Sequence, residues 1–485
     1  MSNEKKAGKA LWLLLPIYLA VVVLFYLLGG AQLYVKAVAG DAPVTPAAAL
    51  GEITAGTELR QPFTLDADRI DSLYLTAATY GRINDCTLTV TICRETGEVL
   101  GSQAVSAAQL EDNASFAVVF SPSIPIRSGE PLRLIITSDG VPGNAVTLYR
   151  GTDIAVTKGS VTKLVGENDR LTVNGEVVDG ILCFQPTGSR DLLFGRIYWY
   201  FFGSVGFLLA ALVVYELRQE KAGKATRILK LLDALRRYRF LLRQLVERDF
   251  KTKYKRSVLG MLWSFLNPLL MMLIYYVVFS TLFHSDIQNF PVYLIIGIVC
   301  FNFFSEATNM ALQAIVGNAA LITKVYVPKY IYPASRVASS TVNLLLSLIP
   351  LLGVMLITGI RFRIQFVLVI FGFGCLILLA TGVGMLLSAA MVFFRDTQFL
   401  WGIFLTMLNF LTPVFYPESI IPARFMTIYK LNPLYHILRF NRIVLMDGIS
   451  PEPKAYLFCL IVTVVPLLLG LAVFKKTQDR FVLYL

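Results

Sequence analysis

The chain has 485 residues, of which 56% are hydrophobic and only 16% are charged. Soluble domains carry about 25% charged residues, so this composition argues against a soluble protein and indicates a membrane protein. The length of the chain predicts two or more structural units. The formal net charge is +12. A basic balance fits either nucleic-acid binding or cytoplasmic loops of a membrane protein, and the placement of the charges favours the second. Two histidines and no CxxC pair argue against a zinc cluster.

Long apolar segments recur along the chain. A helix that crosses a bilayer needs about 20 predominantly apolar residues, and eight segments approximately meet that length. The predicted spans are residues 11–33, 193–215, 259–283, 291–315, 337–360, 365–392, 399–416 and 455–474. The first follows three lysines, but its apolar run is too long for a signal peptide, so we expect an uncleaved anchor.

Residues 36–190 have a different pattern from the rest. Runs such as Leu73-Tyr74-Leu75 and Leu88-Thr89-Val90 alternate apolar and polar residues, and glycine-containing turns separate them. Short strands at this spacing predict a β-sandwich. The segment has 12 lysine and arginine residues against 18 aspartate and glutamate residues, a net charge of −6. Its three cysteines leave one internal disulfide open as a possibility; they are Cys86, Cys93 and Cys183.

Residues 216–256 carry the opposite charge. They contain 14 basic and 5 acidic residues, a net charge of +9. Short loops beside a membrane that are rich in lysine and arginine lie in the cytoplasm. We therefore expect both termini in the cytoplasm and residues 36–190 outside it. The predicted parts are a tail and first span (1–35), a β-sandwich (36–190), a second span (191–216), a cytoplasmic linker with an amphipathic helix (217–257) and a six-span core (258–485).

The basic segment has the periodicity of an amphipathic helix. Its apolar residues recur at helical spacing; they are Leu235, Tyr238, Leu241, Leu242, Leu245 and Val246. Basic residues fill much of the remainder: Arg236, Arg237, Arg239, Arg243, Arg248, Lys251 and Lys255. Such a helix lies in the headgroup layer. Two interpretations stay open, which are simple anchoring and a platform for a phosphate-bearing lipid headgroup.

The run from Arg248 to Gly260, followed by Trp263 and Asn267-Pro268, resembles the entry segment of type 2 ABC exporter permeases for O-antigens, teichoic acids and capsular glycans. In that family a basic "gate" helix precedes the first core span. The resemblance covers residues 235–485. It implies an α-helical membrane protein with a six-helix exporter core. Two extra N-terminal transmembrane helices would then carry the extracytoplasmic, jelly-roll-like β-sandwich.

The resemblance also implies contacts with an ATPase subunit. A proline-bounded segment is similar to the family's first coupling helix: Asn318, Leu321, Lys324, Val325, Tyr326, Pro328, Lys329 and Pro333. The pair Arg395-Asp396 is similar to its short cytoplasmic turn. Without the resemblance, the first segment is better explained as an ordinary loop with turn prolines.

An outer gate is implied by a proline-interrupted region between the last two predicted spans. Its residues are Pro413, Tyr416, Pro417, Glu418, Asn432, Pro433 and His436. In the family these residues form short re-entrant helices. Broken helices near membrane depth are tolerated only where protein or water satisfies the backbone, which favours a position beside a cavity.

A conduit wall is the last predicted site. Asn302, Ser305, Glu306, Asn309 and Gln313 fall on one helical face, and a charge within a span should face protein or water. Aromatic residues in core spans suit a sugar path: Tyr275, Tyr276, Phe301, Phe304, Trp401 and Phe404. A polar contact between helices, and ordinary aromatic packing, remain the alternatives.

The predicted function is ATP-driven export of a lipid-linked polysaccharide across the bacterial cytoplasmic membrane. The sequence has no GxxxxGK[ST] loop, so we expect a separate ATPase subunit to bind ATP and Mg²⁺, with no cofactor in this chain. The resemblance implies a homodimer with two ATPase copies. The alternatives are export of a small lipophilic compound and a membrane glycosyltransferase or ligase. Finally, residues 80–84 and 110–113 are similar to jelly-roll-like modules of cell-surface glycan proteins.

Overall fold

The computed structural model describes residues 4–40, 46–151, 170–222, 227–255, 258–283, 289–324 and 327–484. The chain divides into two compact units. One comprises Met1–Leu33 with Ile197–Leu485, and the other comprises Tyr34–Arg196. The first unit is helical and the second is built of strands, and their buried side chains form separate clusters.

The unit Tyr34–Arg196 contains two antiparallel sheets. The seven-stranded sheet has the order β1-β13-β4-β9-β12, with β7 paired to β4 and β2 to β9; the six-stranded sheet has the order β11-β10-β3-β8-β5-β6. The strands are β1 (Val35–Ala39), β2 (Ala48–Ala49), β3 (Glu58–Thr64), β4 (Arg69–Ala78), β5 (Thr87–Arg94), β6 (Val99–Ser106), β7 (Ala114–Pro125), β8 (Pro131–Ser138), β9 (Thr147–Gly151), β10 (Thr172–Val173), β11 (Glu176–Val177), β12 (Ile181–Leu182) and β13 (Phe184–Asp191).

Alternation along the strands builds one core between these sheets. Leu73 and Leu75 of β4 are buried, as are Leu88 and Val90 of β5, and all four belong to one cluster. Side chains on a strand point alternately to its two faces, so every second residue reaches the core. The predicted β-sheet character of 36–190 is confirmed, while the jelly-roll-like arrangement stays a prediction.

The three cysteines of this unit do not pair. Cys86, Cys93 and Cys183 are buried with free thiols. Burial raises the pKa of the Cys183 thiol to about 11, which leaves it protonated and unreactive near neutral pH. The thiols therefore pack as small apolar side chains.

The helical unit contains long apolar helices and several short ones. In chain order these are α1 (Glu4–Gly29), α2 (Leu193–Lys221), α3 (Arg227–Tyr254), α4 (Trp263–Phe283), α5 (Phe290–Leu312), α6 (Ala319–Ile322), α7 (Ile331–Ile357), α8 (Val369–Phe393), α9 (Thr397–Leu411), α10 (Met426–Leu431), α11 (Pro433–Arg442), α12 (Pro453–Thr477) and α13 (Phe481–Tyr484). Helix α5 is the most buried of the apolar helices and packs against α4, α7 and α8.

Seven helical segments within the described ranges are long and apolar enough to cross a membrane. The eighth predicted span, 399–416, is wrong in length. It corresponds to α9, whose 15 residues extend about 23 Å, short of the roughly 30 Å of a bilayer core. The helix ends at Leu411 because Pro413 forces Thr412 out of the helical region, and Thr412 is extended, with φ −105° and ψ 126°.

Helices α8 and α12 approach closely at two glycines. A Cβ added to Gly470 would lie 2.0 Å from the carbonyl oxygen of Gly382, and one added to Gly382 would lie 2.4 Å from the Cα of Leu467. Small residues allow helix backbones in a membrane to approach and to gain van der Waals contacts. The α8–α12 interface therefore depends on these positions having no side chain.

Either alanine variant, Gly382→Ala or Gly470→Ala, should push α8 and α12 apart and lower the thermal unfolding midpoint of the detergent-solubilised protein. Gly374→Ala in the same helix α8 is the control, because an added Cβ there meets nothing within 4 Å. Alanine is better than glycine in a helix by about 1 kcal/mol, so the control should be neutral or stabilising. Equal midpoints for all three variants would contradict the close-contact role.

Candidate functional site

Helix α3 is amphipathic, and its apolar side packs on the helical unit. Leu245 is 5% exposed, and it shares a buried cluster with Ile322, Tyr332 and Phe474. Other apolar positions of α3 pack against that cluster: Tyr238, Leu241 and Leu242. The packing fixes the helix in rotation, so its basic residues occupy the remaining surface.

The basic side of α3 is open to its surroundings. Exposed residues there are Arg237, Arg239, Arg243, Arg248, Lys251 and Lys255. The side chain of Arg236 lies outside the described residues. Lys251 forms an ion pair with Glu247 at 2.7 Å, and this hydrogen bond holds the pKa of Glu247 below its usual range. The other predicted headgroup residues therefore present a mostly cationic surface.

A cleft of about 550 Å³ opens where α3 meets α5 and α7. It is lined by Arg248, Asp249, Thr252, Lys253, Glu306, Met310, Gly317, Asn318 and Arg336. The side chain of Asp249 is 3% exposed and lies 3.0 Å from a guanidinium nitrogen of Arg248 and 3.0 Å from one of Arg336. Breaking a buried ion pair by removing one partner costs about 3–5 kcal/mol. This contact therefore holds α3 firmly to α7.

Glu306 makes the second contact between α3 and the membrane helices. Its Oε1 accepts hydrogen bonds from Lys253 Nζ at 2.9 Å and from Asn343 Nδ2 at 2.6 Å. The Ser340 hydroxyl lies 3.4 Å from the same oxygen. Glu306 thus makes a polar contact between helices, which is one of the two readings that the sequence leaves open.

The rest of the predicted polar stripe remains accessible. Asn302 and Asn309 are exposed on α5 and Gln313 is exposed immediately after it, although most of that helix is buried. Helix α5 therefore presents a polar strip along the side that this chain does not cover.

The predicted conduit aromatics divide into two groups. Phe304 and Trp401 are 3% and 9% exposed, and the Trp401 indole donates to Thr308 Oγ1 at 3.2 Å. Both rings therefore lie in the core of this chain and present no face to a path. The others are partly or largely accessible: Tyr275, Tyr276, Phe301 and Phe404. The ring of Tyr275 packs against Phe415 with centroids 4.2 Å apart.

The segment predicted as a coupling helix contains the short helix α6. Asn318 precedes it and is buried; its Nδ2 donates to the Ala314 carbonyl at 2.7 Å, and its Oδ1 lies 3.4 Å from Arg248. Lys324 is exposed, and Leu321 and Pro328 are half-buried. Val325 and Tyr326 lie outside the described residues.

Other predicted coupling residues are engaged within the chain. Lys329 Nζ donates to the Gln478 carbonyl at 2.6 Å, and Pro333 is buried at the start of α7. These two residues are therefore engaged in contacts within the chain, and their predicted role in ATPase coupling stays a prediction. Arg395 and Asp396 are exposed immediately before α9.

The region between α9 and α11 is held by a cation that sequence analysis missed. Arg442 is 7% exposed; its guanidinium donates to the carbonyl oxygens of Pro413 at 2.7 Å and Val414 at 3.0 Å. It also lies 3.3 Å from the centroid of the Tyr293 ring. Backbone groups freed by the break after α9 thus gain donors. No local pattern singled out Arg442, because Arg439 and Asn441 stand beside it in the same short helix.

Predicted gate residues complete this arrangement. Asn432 caps α11 by accepting from Leu434 N at 3.0 Å and donates to Thr412 Oγ1 at 2.8 Å. Glu418 accepts from the Tyr435 hydroxyl at 3.0 Å. Pro413 is buried, and Pro417 and Pro433 are half-buried. The Tyr416 hydroxyl lies 3.1 Å from that of Tyr429.

His436 has a packing role. Its Nε2 lies 2.7 Å from the Lys430 carbonyl oxygen, and its ring stacks on Phe458 with centroids 5.4 Å apart. No described contact brings it together with Glu418 in a shared acid–base site.

Comparison with known proteins identifies the helical unit. Residues 241–446 match the model of the ABC-2 type transporter family. An O-antigen export system permease protein from Myxococcus xanthus is 33% identical over 261 residues, which is 52% of this chain and 98% of that protein. The chain belongs to the ABC-2 type transporter family.

Two further relatives of this ABC-2 transporter chain are also named as transport proteins. An O-antigen export system permease protein from Klebsiella pneumoniae is 29% identical over 246 residues, 50% of this chain and 93% of that protein. A polysialic acid transport protein from Escherichia coli is 26% identical over 235 residues, 48% of this chain and 91% of that protein. The predicted family resemblance is confirmed, and these relatives are named as transport proteins, not as enzymes.

The family match covers most residues of the helical site. It includes the cleft, α6 and the Arg442 contacts, whereas the β-sheet unit Tyr34–Arg196 lies before it. The ABC-2 transporter fold therefore explains the helical site and leaves the β-sheet unit as an addition.

Removing the Arg442 side chain should destabilise the segment after α9. Arg442→Ala leaves the carbonyls of Pro413 and Val414 without their donors, at about 1–3 kcal/mol for each buried group. A lower unfolding midpoint and faster limited proteolysis within 412–418 would report this. Arg439→Ala, in the same helix, removes an ion pair with Glu418 at 3.9 Å whose arginine is 55% exposed. Because exposed ion pairs contribute little, this control should have little effect. Equal behaviour of the two variants would contradict the role given to Arg442.

Proposed function

We propose that this chain is the membrane subunit of an ATP-driven exporter that passes a lipid-linked polysaccharide across the bacterial cytoplasmic membrane. The match to nearly the full length of permeases named for O-antigen export supports this proposal. The sequence has no phosphate-binding loop of the GxxxxGK[ST] type. ATP and Mg²⁺ would therefore be bound by a separate ABC ATPase subunit.

The cationic surface of α3 beside the cleft is the observation that carries the choice of substrate. Phosphate groups bind guanidinium groups through paired hydrogen bonds, and a row of arginines in the headgroup layer attracts anionic lipid heads. Arg237, Arg239 and Arg243 are exposed on one helix whose opposite side is packed. A polyprenyl-type lipid carrying phosphate would bring its headgroup to this surface.

The transport path would run between two copies of the chain. Polar Asn302 and Asn309 are exposed on the otherwise buried helix α5 and Gln313 is exposed immediately after it, which suits a sugar path in a homodimer served by two ATPase subunits. In this arrangement α9 and the segment that follows it together cross the membrane, so that the termini are cytoplasmic and residues 36–190 are extracytoplasmic, as the charge of 216–256 favours. The segment Asn318–Pro333 and the Arg395-Asp396 turn would contact the ATPase.

Depletion of the chain tests the proposal directly. Lipid-linked glycan should accumulate inside the cell and disappear from its surface, and the wild-type gene should restore export. An adjacent gene for an ABC ATPase would support the partner. Unchanged surface glycan together with retention of a small lipophilic compound would favour the alternative exporter.

Replacing Arg236, Arg237, Arg239 and Arg243 together with glutamine should slow glycan export by at least about tenfold, because each basic residue near an anionic surface contributes about 1 kcal/mol. Export is measured as surface glycan appearing after induction. The double variant Lys475→Gln, Lys476→Gln is the control for the loss of basic charge as such, because both lysines are exposed at the end of α12. An unchanged rate in the arginine variant would favour simple anchoring.

Lys324→Glu or Pro328→Ala should uncouple ATP hydrolysis from export while the protein stays in the membrane. Lys324 is exposed beside α6, and Pro328 restricts the turn that follows. The measurements are ATPase activity of the purified complex, surface glycan and membrane abundance. Lys454→Glu, an exposed charge reversal at the start of α12, is the control. Normal export from both coupling variants would contradict the assignment.

A further inference from the structure

Tyr80, in the loop between β4 and β5, has a strained backbone. Its φ is +59°, a region that a bulky residue rarely adopts. Its side chain is nevertheless 48% exposed, so burial in the core does not offset the energy cost of this backbone conformation. Strained residues of this kind persist where the surroundings hold them, and they cluster at functional sites.

Neighbouring polar groups hold the Tyr80 backbone in place. Asp112 accepts from the Thr79 backbone N–H at 2.6 Å and from the Thr79 hydroxyl at 3.1 Å. The Thr79 backbone hydrogen bond is the main cause that keeps the pKa of Asp112 below its usual range. Asn84, which is fully buried, donates to the Thr79 carbonyl at 3.1 Å.

Arg82 orients the aromatic ring. Its guanidinium carbon lies 5.1 Å from the centroid of Tyr80, and its Nε donates to Asn84 at 3.0 Å. Arg82 also forms an ion pair with Glu52, whose other oxygen accepts from Gly143 N at 2.9 Å. The half-exposed ring is therefore held by Arg82, which is itself fixed by contacts with Asn84 and Glu52.

Further polar side chains are connected to Asp112. Asn113 also has a positive φ, +57°, and its Nδ2 donates to Asp112 Oδ2 at 3.1 Å. The Tyr149 hydroxyl donates to Asn113 Oδ1. The guanidinium of Arg82 thus lies over the aromatic ring, the carboxylate of Asp112 holds the adjoining backbone, and an amide and a phenol are linked to that carboxylate by hydrogen bonds. We call Tyr80, Arg82, Asp112, Asn113 and Tyr149 the Tyr80 cluster.

We infer that the Tyr80 cluster binds a neutral glycan. A sugar ring has a C–H face that packs on the electron-rich face of an aromatic ring. The hydroxyl groups around the sugar ring form hydrogen bonds with carboxylate, amide and guanidinium groups. Holding the ring rigid before binding lowers the entropy cost of association. That the glycan is the exported polymer rests on the proposed function, whereas binding itself does not.

Local charge selects a neutral ligand over an anionic one. Asp85, Glu111 and Asp112 are exposed in or next to the Tyr80 cluster, and within that cluster Arg82 is the one cation. Residues 36–190 carry a net charge of −6. A polyanion such as oligosialic acid would be repelled. The same repulsion opposes nucleic acid.

Binding is tested with full-length protein in detergent on an array of short neutral oligosaccharides, with oligosialic acid in parallel. We expect binding to at least one neutral series and not to oligosialic acid. Tyr80→Asn should weaken binding by about tenfold or more, because asparagine tolerates positive φ but has no ring. Tyr74→Ala, which removes a tyrosine that is 42% exposed on β4, is the matched control and should leave binding unchanged.

Tyr80→Gly separates a binding role from a structural one. Glycine adopts positive φ without strain, so this variant should raise the unfolding midpoint of the β-sheet unit while weakening glycan binding as Tyr80→Asn does. No binding to any neutral oligosaccharide by the wild-type protein, or equal binding by Tyr80→Asn, would overturn the inference. Because the assay needs no ATPase and no export, its failure would leave the proposed transport function intact.

Discussion

Two carboxylates, Asp249 and Glu306, fasten the amphipathic helix α3 to the membrane helices. Asp249 lies between the guanidinium groups of Arg248 and Arg336, and Glu306 accepts from Lys253. A charge in an apolar region is costly unless it is paired, so each pair favours one docked position of α3. The exposed cationic side of α3, the cleft and the neighbouring segment around α6 all depend on this position.

The same requirement shapes the opposite end of the matched region. Pro413 ends α9 before a full span is complete, which frees backbone carbonyls that water or protein must satisfy. Arg442 supplies the donors, and Asn432 caps the helix that follows. The break is therefore a defined structure with its own hydrogen bonds. Helix α5 connects the two ends, since Glu306 contacts α3 and Tyr293 lies under Arg442.

The β-sheet unit has an apolar core and polar groups that pair at its surface. The core comes from the alternation of side chains along the strands, and the surface groups form hydrogen bonds and ion pairs with one another. One of these networks holds Tyr80 in a strained conformation at the surface, where it adds nothing to the core. An exporter core that matches relatives over nearly their whole length does not need such a unit. A role in recognising the glycan would account for both the addition and the strain.

Sequence alone determined the membrane class, the β-sheet character of 36–190 and the amphipathic pattern of α3, because composition and periodicity are local properties of the chain. The family came from the resemblance of residues 235–485 to type 2 ABC exporter permeases. Sequence alone overestimated α9, since an apolar count ignores what Pro413 does to Thr412. Tertiary structure decided that Phe304 and Trp401 are buried, and that Arg336 and Arg442 are anchors. Such contacts join residues far apart in sequence: Asp249 and Arg336 meet only when α3 packs on α7, and no local pattern encodes that meeting.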